Sequence, residues 1–262
     1  MAEPQRFLAL FDLHWGYTRR PGRHLGPLHD LKALKIALAF AKDWKPDVVI
    51  LGGDMLDCGP VSHHLKGKQH SLEGLRLLRD ATELRQQVLE PLEALKPAKL
   101  VYAEGNHEKW LNDVLEDIPG LDGFLSINNL LKLEEKGWQL IPQGGHYKLG
   151  KLYFVHGDTV KGGGAFKAKQ AMDLYDRNIR FGHYHSTQTF CKHRPLDVDE
   201  PKTAVMVPCL CRRDPAYLKG IPTGWVTGFL YGTVLPDGGF SDHVAIIAKN
   251  RWMSPMGKVY RG

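Results

Sequence analysis

The sequence predicts an α/β fold held in one domain over residues 1–262. Three patterns carry that expectation. Through the first half, short β-branched apolar runs alternate with longer stretches whose apolar residues recur at helical spacing, the pattern of βαβ units. After Lys136 the texture changes to shorter runs separated by Gly turns, the pattern of consecutive strands. Polar clusters stand at the ends of these runs in both halves, and no linker-like stretch divides them.

Arg6 to Phe11 is an apolar run ending on Asp12-Leu13-His14, as a buried strand that delivers polar residues at its end would. A loop is expected from there to Leu28. From Asp30 to Trp44, Leu31, Leu34, Ile36, Leu38, Ala39 and Phe40 mark a helix, with Asp30 as its cap and Pro46 just past its end. Asp47 to Leu51 is the next strand and stops at Gly52-Gly53-Asp54. A long amphipathic helix is expected from Ser71 to Leu95, closed by Pro97. The third strand, Lys99 to Ala103, stops at Glu104-Gly105-Asn106-His107-Glu108, and two helical segments follow near Glu108 to Leu115 and Gly123 to Glu135. Later strands are expected at Trp138 to Ile141, His146 to Leu149, Lys151 to His156, Ile179 to Gly182, Thr203 to Pro208, Trp225 to Val234 and His243 to Lys249. One helix, Ala165 to Tyr175, interrupts them, and Gly162-Gly163-Gly164 reads as a loop.

With 43% apolar residues the chain can bury a sizeable core. A formal charge of +6 favours anionic partners such as phosphates, nucleotides or nucleic acid. The cations are nonetheless spread widely: Arg19, Arg20 and Arg23 follow the first motif, Lys66 and Lys68 the second, and Lys249, Arg251, Lys258 and Arg261 lie further on. A solvated basic surface accounts for them equally well. No stretch approaches the roughly 18 to 20 consecutive apolar residues of a membrane span, and Met1 to Arg6 lacks a signal-peptide layout, so a cytoplasmic protein is expected. Its cysteines, Cys58, Cys191, Cys209 and Cys211, then stay reduced. Cys191 and His193 with Cys209 and Cys211 could hold zinc, but the spacing is not a standard one, and buried free thiols near strand ends are the preferred reading.

Five polar clusters sit at the expected strand ends: Asp12-Leu13-His14; Gly53-Asp54 with Asp57; Gly105-Asn106-His107-Glu108; His156-Gly157-Asp158; and Gly182-His183-Tyr184-His185. Side chains alternate along a strand, so Asp12 and His14 are expected on one face, and His183 and His185 likewise. Glycines beside Asp54, Asn106, His156 and His183 let the backbone turn sharply off each strand. Any one cluster is weak evidence, because a lone His past a strand is more often a hydrogen-bonded structural residue. Together they offer enough donors for two metals, and imidazole mixed with carboxylate oxygen suits manganese, iron or zinc better than calcium.

As an ordered set, Asp-x-His, Gly-Asp, Gly-Asn-His-Glu, His-Gly and Gly-His-x-His resemble the calcineurin-like metallophosphoesterase superfamily over roughly Phe7 to Ser186. The resemblance implies a four-layer α/β/β/α sandwich, two mixed sheets flanked by helices, with a dinuclear metal site at strand ends. It assigns one metal to Asp12, His14, Asp54 and His185 and the other to Asp54, Asn106, His156 and His183. Mn2+ is the expected ion, with iron, Zn2+, Ni2+ and Mg2+ as alternatives. Two such cations would acidify a bridging water for in-line attack on a phosphoester. By the same resemblance His107 protonates the leaving alkoxide or stabilises phosphoryl charge, and Asp57 orients it; a loop-capping Asp is the alternative for Asp57.

Cys58 stands where the protein Ser/Thr phosphatase branch carries Arg, and a thiol cannot supply a bidentate cationic fork. The segments Gly52 to Asp57 and Gly105 to Leu111, with Trp225 to Phe229, look more like the small enzymes of phages and prophages. The expected activity is that of a phosphodiesterase with some phosphomonoesterase activity on nucleotides or nucleic-acid-like substrates. A dedicated DNA or RNA nuclease and a non-catalytic metal-binding scaffold are the alternatives. Lys109 and Asn106 are the expected substrate contacts. Trp15, Tyr17, His63, His64 and Tyr184 adjoin the motifs and either touch substrate or are packing and rim residues.

Overall fold

The computed structural model describes residues 3–19, 24–161, 165–193, 201–215, 218 and 220–262. Its first strand, β1 (Gln5–Leu10), shows how the sheets are buried: Phe7 and Ala9 enter one apolar layer while Leu8 and Leu10 enter another. Burial on both faces is why such a strand reads as a continuous apolar run. The hairpin β2–β3 (Tyr17–Arg19 and Leu25–Pro27), α1 (Leu31–Trp44) and β4 (Val48–Gly52) follow. Next come α2 (Gln69–Leu72), α3 (Leu77–Leu84), α4 (Glu90–Glu93), β5 (Lys99–Ala103), α5 (Trp110–Asp117), α6 (Ile127–Leu131) and β6 (Trp138–Ile141). The later half holds β7 (Tyr147–Leu149), β8 (Leu152–Val155), α7 (Lys167–Tyr175), β9 (Asn178–Phe181), β10 (Gln188–Lys192) and β11 (Lys202–Met206). β12 (Gly228–Val234), β13 (Phe240–Ile246), β14 (Arg251–Met253) and β15 (Val259–Arg261) complete it.

One mixed sheet runs β13-β12-β1-β4-β5-β6, with β1, β4, β5 and β6 parallel and β12 antiparallel to β1. The other runs β10-β11-β9-β8-β7, parallel across β11, β9 and β8. Phe7, Phe11, Ile50, Val101, Phe154 and Leu230 fill the layer between them. α1 packs Ala33, Leu34, Ile36 and Phe40 on the outer face of the first sheet, and α7 packs Ala168, Ala171 and Met172 on that of the second. The result is the four-layer α/β/β/α sandwich. Parallel strands end together, so the loops after β1, β4, β5, β8 and β9 gather at one edge, the usual location of a site in such sheets. Asp30 caps α1, accepting from Lys32 N at 3.0 Å and Ala33 N at 3.1 Å. Among the described residues no helix is long and apolar enough to cross a membrane.

Several boundaries differ from expectation. The stretch to Leu28 is not all loop, since β2 and β3 pair within it. The helix expected from Ser71 is interrupted at Gly74, whose φ of +81° ends α2, and resumes only at Leu77. It then contains a π turn at Arg85–Leu89. Pro91 stands two residues past its end; its missing N–H and its ring disfavour regular α bonding just before it, and a wider turn accommodates both. The helix expected near Glu108 begins two residues later, because Glu108 is engaged elsewhere, and the one expected from Gly123 is cut to α6 by Ser126 at its start and a left-handed Lys132 at its end. Trp225 to Thr227 lie outside β12, β13 lies earlier than His243 to Lys249, and β10, β14 and β15 are additional strands. Gly162 to Gly164, Arg20 and Arg23 lie outside the described residues.

Candidate metal centre

Asp12, His14, Asp54, His183 and His185 all have left-handed backbone, with φ of 50°, 49°, 52°, 69° and 55°. Each pair therefore owes its direction to turns just past the strand ends, not to strand alternation as the sequence suggested. Such conformations are uncommon outside Gly and are held by surrounding structure. Two of the flanking glycines are needed for space: a Cβ on Gly105 would lie 2.2 Å from Asp54 Oδ1, and one on Gly182 would lie 2.4 Å from Asp12 Oδ2.

These turns bring the expected donors into one cluster, in which Asn106 and His183 are half-buried and the others buried. Asp12, His14 and Asp54 converge, and so do Asp54, His156 and His183. Asp54 is common to both groups. His14 Nε2 faces His185 Nε2 at 3.0 Å, and His156 Nε2 lies 3.1 Å from Asn106 Oδ1 and 3.2 Å from Asp54 Oδ2. His14 Nδ1 lies 3.2 Å from Asp57 Oδ1 and His156 Nδ1 3.2 Å from the Gly52 carbonyl. An outer partner on Nδ1 with Nε2 turned inward is the usual arrangement of a metal-ligating imidazole.

His107 reaches the same centre from the side, its Nε2 3.9 Å from Asp54 Oδ2. Its Nδ1 lies 2.8 Å from the Asp57 carbonyl and 3.4 Å from the Asp57 carboxylate. Asp57 thus touches His107 chiefly through its backbone, while its carboxylate is nearer His14. Lys109 is exposed and pairs with Asp113 at 3.7 Å. His63 and His64 are exposed beside Trp110, whose ring lies 4.0 Å from that of His107. Trp15 and Tyr17 both bond Glu83, and the Tyr184 hydroxyl donates to the Val160 carbonyl, so these three are packing residues.

The electrostatics are those of a site that wants cations. Burial would raise Asp54, but His156, His107 and His14 hold it well below the ordinary carboxylate range. Burial would lower His107 and His156, yet Asp54 beside them pushes both up to about 10. Asp12, buried and close to Asp54, rises to about 7 despite the opposing pull of His156. No Lys or Arg pairs with Asp12, Asp54 or Asp57 among the described residues, so imidazolium supplies the compensating charge. Clustered carboxylate oxygens, an amide oxygen and inward imidazole nitrogens fit divalent transition ions.

Two residues of this site gave no sign of their role in the sequence. Glu108 is buried and accepts from Asp54 N, Met55 N, Leu56 N, Gly105 N and the Tyr102 hydroxyl at 2.8 to 3.1 Å. It clamps the loop after β4 to the loop after β5. Cys211 lies 3.8 Å from His185 Nδ1, and Cys209 is buried nearby. Cys191 is exposed on β10, and among the described residues no metal-compatible group joins it or His193 to Cys209 and Cys211. The zinc alternative therefore lapses, and Cys209 and Cys211 are buried free thiols.

The family model described as calcineurin-like phosphoesterase matches residues 6–207. The Gene 54 protein of Mycobacterium phage L5 is 28% identical over 225 residues, covering 79% of this chain and 85% of that protein. Among solved structures, the phosphoesterase Yfce from E. coli aligns with a TM-score of 0.41 at 13% identity, covering 91% of this chain and 98% of that one. Purple acid phosphatase PPD1 from yellow lupin aligns with a TM-score of 0.46 at 14% identity, covering 100% of this chain and 53% of that one. With most of its length matched, strand-end motifs included, the chain belongs to the calcineurin-like phosphoesterase family.

Proposed function

We propose that the protein is a dinuclear-metal-dependent phosphodiesterase with some phosphomonoesterase activity, acting on nucleotides or nucleic-acid-like substrates, and that residues 1–262 work as one domain. The observation that carries this is Asp54, shared by two converging groups of donors. Asp12, His14, Asp54 and His185 would hold one divalent ion, and Asp54, Asn106, His156 and His183 the other, manganese being the expected metal. When bound, such ions supply Lewis-acid charge for the phosphoryl oxygens and a nucleophile at neutral pH.

The remaining chemistry belongs to the chain. With Nδ1–H donating to the Asp57 carbonyl at 2.8 Å, a protonated His107 presents Nε2–H toward the centre. It delivers that proton to the departing ester oxygen. Asp57 steadies both His14 and His107, and Glu108 keeps the Asp54 turn closed. Asn106 and Lys109 at the mouth contact the phosphate group. Lys109 is free to do so because its exposed pair with Asp113 is weak.

The test uses metal-stripped protein reloaded with manganese, zinc, magnesium or nickel and assayed on matched aryl phosphomonoesters and phosphodiesters. Diester cleavage that requires metal and collapses in His107→Ala and Asp54→Asn is the expected result. Metal bound without turnover of either ester would overturn it. Oligonucleotide cleavage far faster than aryl diester cleavage would favour a dedicated nuclease.

A further inference from the structure

Trp225 stands just outside the donor cluster, yet its position is tied to it. Val226 N donates to the His185 carbonyl at 2.7 Å, and Cys209 N donates to the Val226 carbonyl at 3.0 Å. The indole meets the His185 ring edge-on, centroids 4.3 Å apart at 80°. The same indole lines a groove of about 620 Å³ with His29, Arg212, Arg213, Thr223 and Asn250. That volume lies within the range of small-molecule sites, roughly 300 to 1,000 Å³.

The groove is built on fixed parts. Arg212 N donates to the Leu28 carbonyl at 2.7 Å, and the Arg212 guanidinium is forked onto Asp214 at 2.9 and 3.1 Å. His29 lies flat on Trp15, 3.8 Å between centroids and 2° between planes. Asp30, also at the groove, is occupied as the α1 cap. Arg213, by contrast, is exposed and forms no ion pair among the described residues. An aromatic wall, an unengaged guanidinium, an amide and a hydroxyl that donates to the Arg213 carbonyl at 3.1 Å thus share one groove, and its wall, Trp225, touches His185.

Resting on the phosphoesterase reading above, we infer that this groove is the subsite for the nucleoside portion of the phosphoester, its base against Trp225 and its edge bonded by Arg213. An indole wall suits a planar base of any identity, because every base has a π-face. The guanidinium donates in its plane and suits the acceptor-rich edges of bases. Because the Val226–His185 bond fixes the wall relative to the metal donors, a base stacked there sets the phosphate's position as well. A free nucleotide and the terminal nucleoside of a strand share this chemistry.

The experiment compares the metal-loaded whole chain on thymidine 5′-(4-nitrophenyl) phosphate and methyl 4-nitrophenyl phosphate, as wild type, Arg213→Ala and Thr223→Trp. Stacking of one base predicts that wild type favours the nucleoside ester by roughly tenfold or more in kcat/KM, mostly through KM. Both variants should shrink that ratio about fivefold or more, the scale of one lost stacking or bidentate contact. Equal kcat/KM on the two esters, or a ratio unmoved in both variants, overturns the inference. A titration with thymidine monophosphate, followed by tryptophan fluorescence in wild type and Trp225→Phe, needs no turnover. Saturable quenching lost in Trp225→Phe supports the groove even if hydrolysis is absent and the enzyme reading fails; no quenching in wild type overturns it. An oligonucleotide competing more strongly than the monophosphate would identify the strand end as the source.

Discussion

Glu108 gathers five hydrogen bonds onto one buried carboxylate, four of them from backbone amides. Leaving a buried donor unpaired costs about 1–3 kcal/mol, so Glu108→Ala should lower unfolding stability by more than about 3 kcal/mol even if water satisfies half of them. Urea unfolding would measure it. Glu108→Gln, which keeps one oxygen in place, should lose less. His29 supplies a pH signature. Burial pushes it down to about 4, so between that value and an ordinary 6.5 the unfolded chain binds the extra proton and stability rises with pH. Urea midpoints at pH 4.5 and pH 7 should therefore differ more in wild type than in His29→Gln. His107→Ala should cost on the order of a hundredfold to ten-thousandfold in kcat, in line with loss of a general acid. Calorimetric metal titration should show both ions still bound. The candidate donors were legible in the sequence because Asp, Asn and His announce their chemistry, and the fold does bring them together. Glu108 was not, because its partners are featureless amides about fifty residues earlier in the chain.

At the scale of elements, the strand-end turns do the positioning, and their tolerance is small. Gly105→Ala would set a methyl 2.2 Å from Asp54 Oδ1. Asp54 would have to leave its place between the two donor groups, so the expected outcome is loss of the second bound metal together with activity, read by metal analysis of the purified variant. The strands buried on both faces, β1, β4 and β5, were legible because their composition leaves no other reading. The helix around Leu77 to Glu93 was legible as a helix but not in its start or its π turn, since Gly74 and Pro91 act through backbone geometry that apolar periodicity does not record. β10 escaped notice because it is largely exposed at the sheet edge, and β14 and β15 because three residues are too few to display a period. The Asp12 and His14 pair was found for the wrong reason: left-handed turns, not pleat alternation, aim both inward.

For the whole molecule, the donors come from loops spread between residues 12 and 185 and from both sheets. A cation that binds only the folded state stabilises it by mass action, about 2.7 kcal/mol at a hundredfold excess over Kd. Chelation should therefore lower the melting temperature of wild type and leave Asp54→Asn much less affected, as calorimetry would show. β1 lies between β4 and β12, paired Gln5 to Val234 on one side and Phe7 to Val48 on the other. Its first neighbour is made almost at once. Its second is synthesised more than two hundred residues later, some ten to forty seconds at typical elongation rates. During that interval one edge of the central strand stays open, and Asp12, His14 and Asp54 exist well before His185, which itself precedes β12. A nascent chain thus carries part of the candidate metal cluster beside an unpaired strand edge, and the order in which the later residues and β12 emerge bears on how this protein is made.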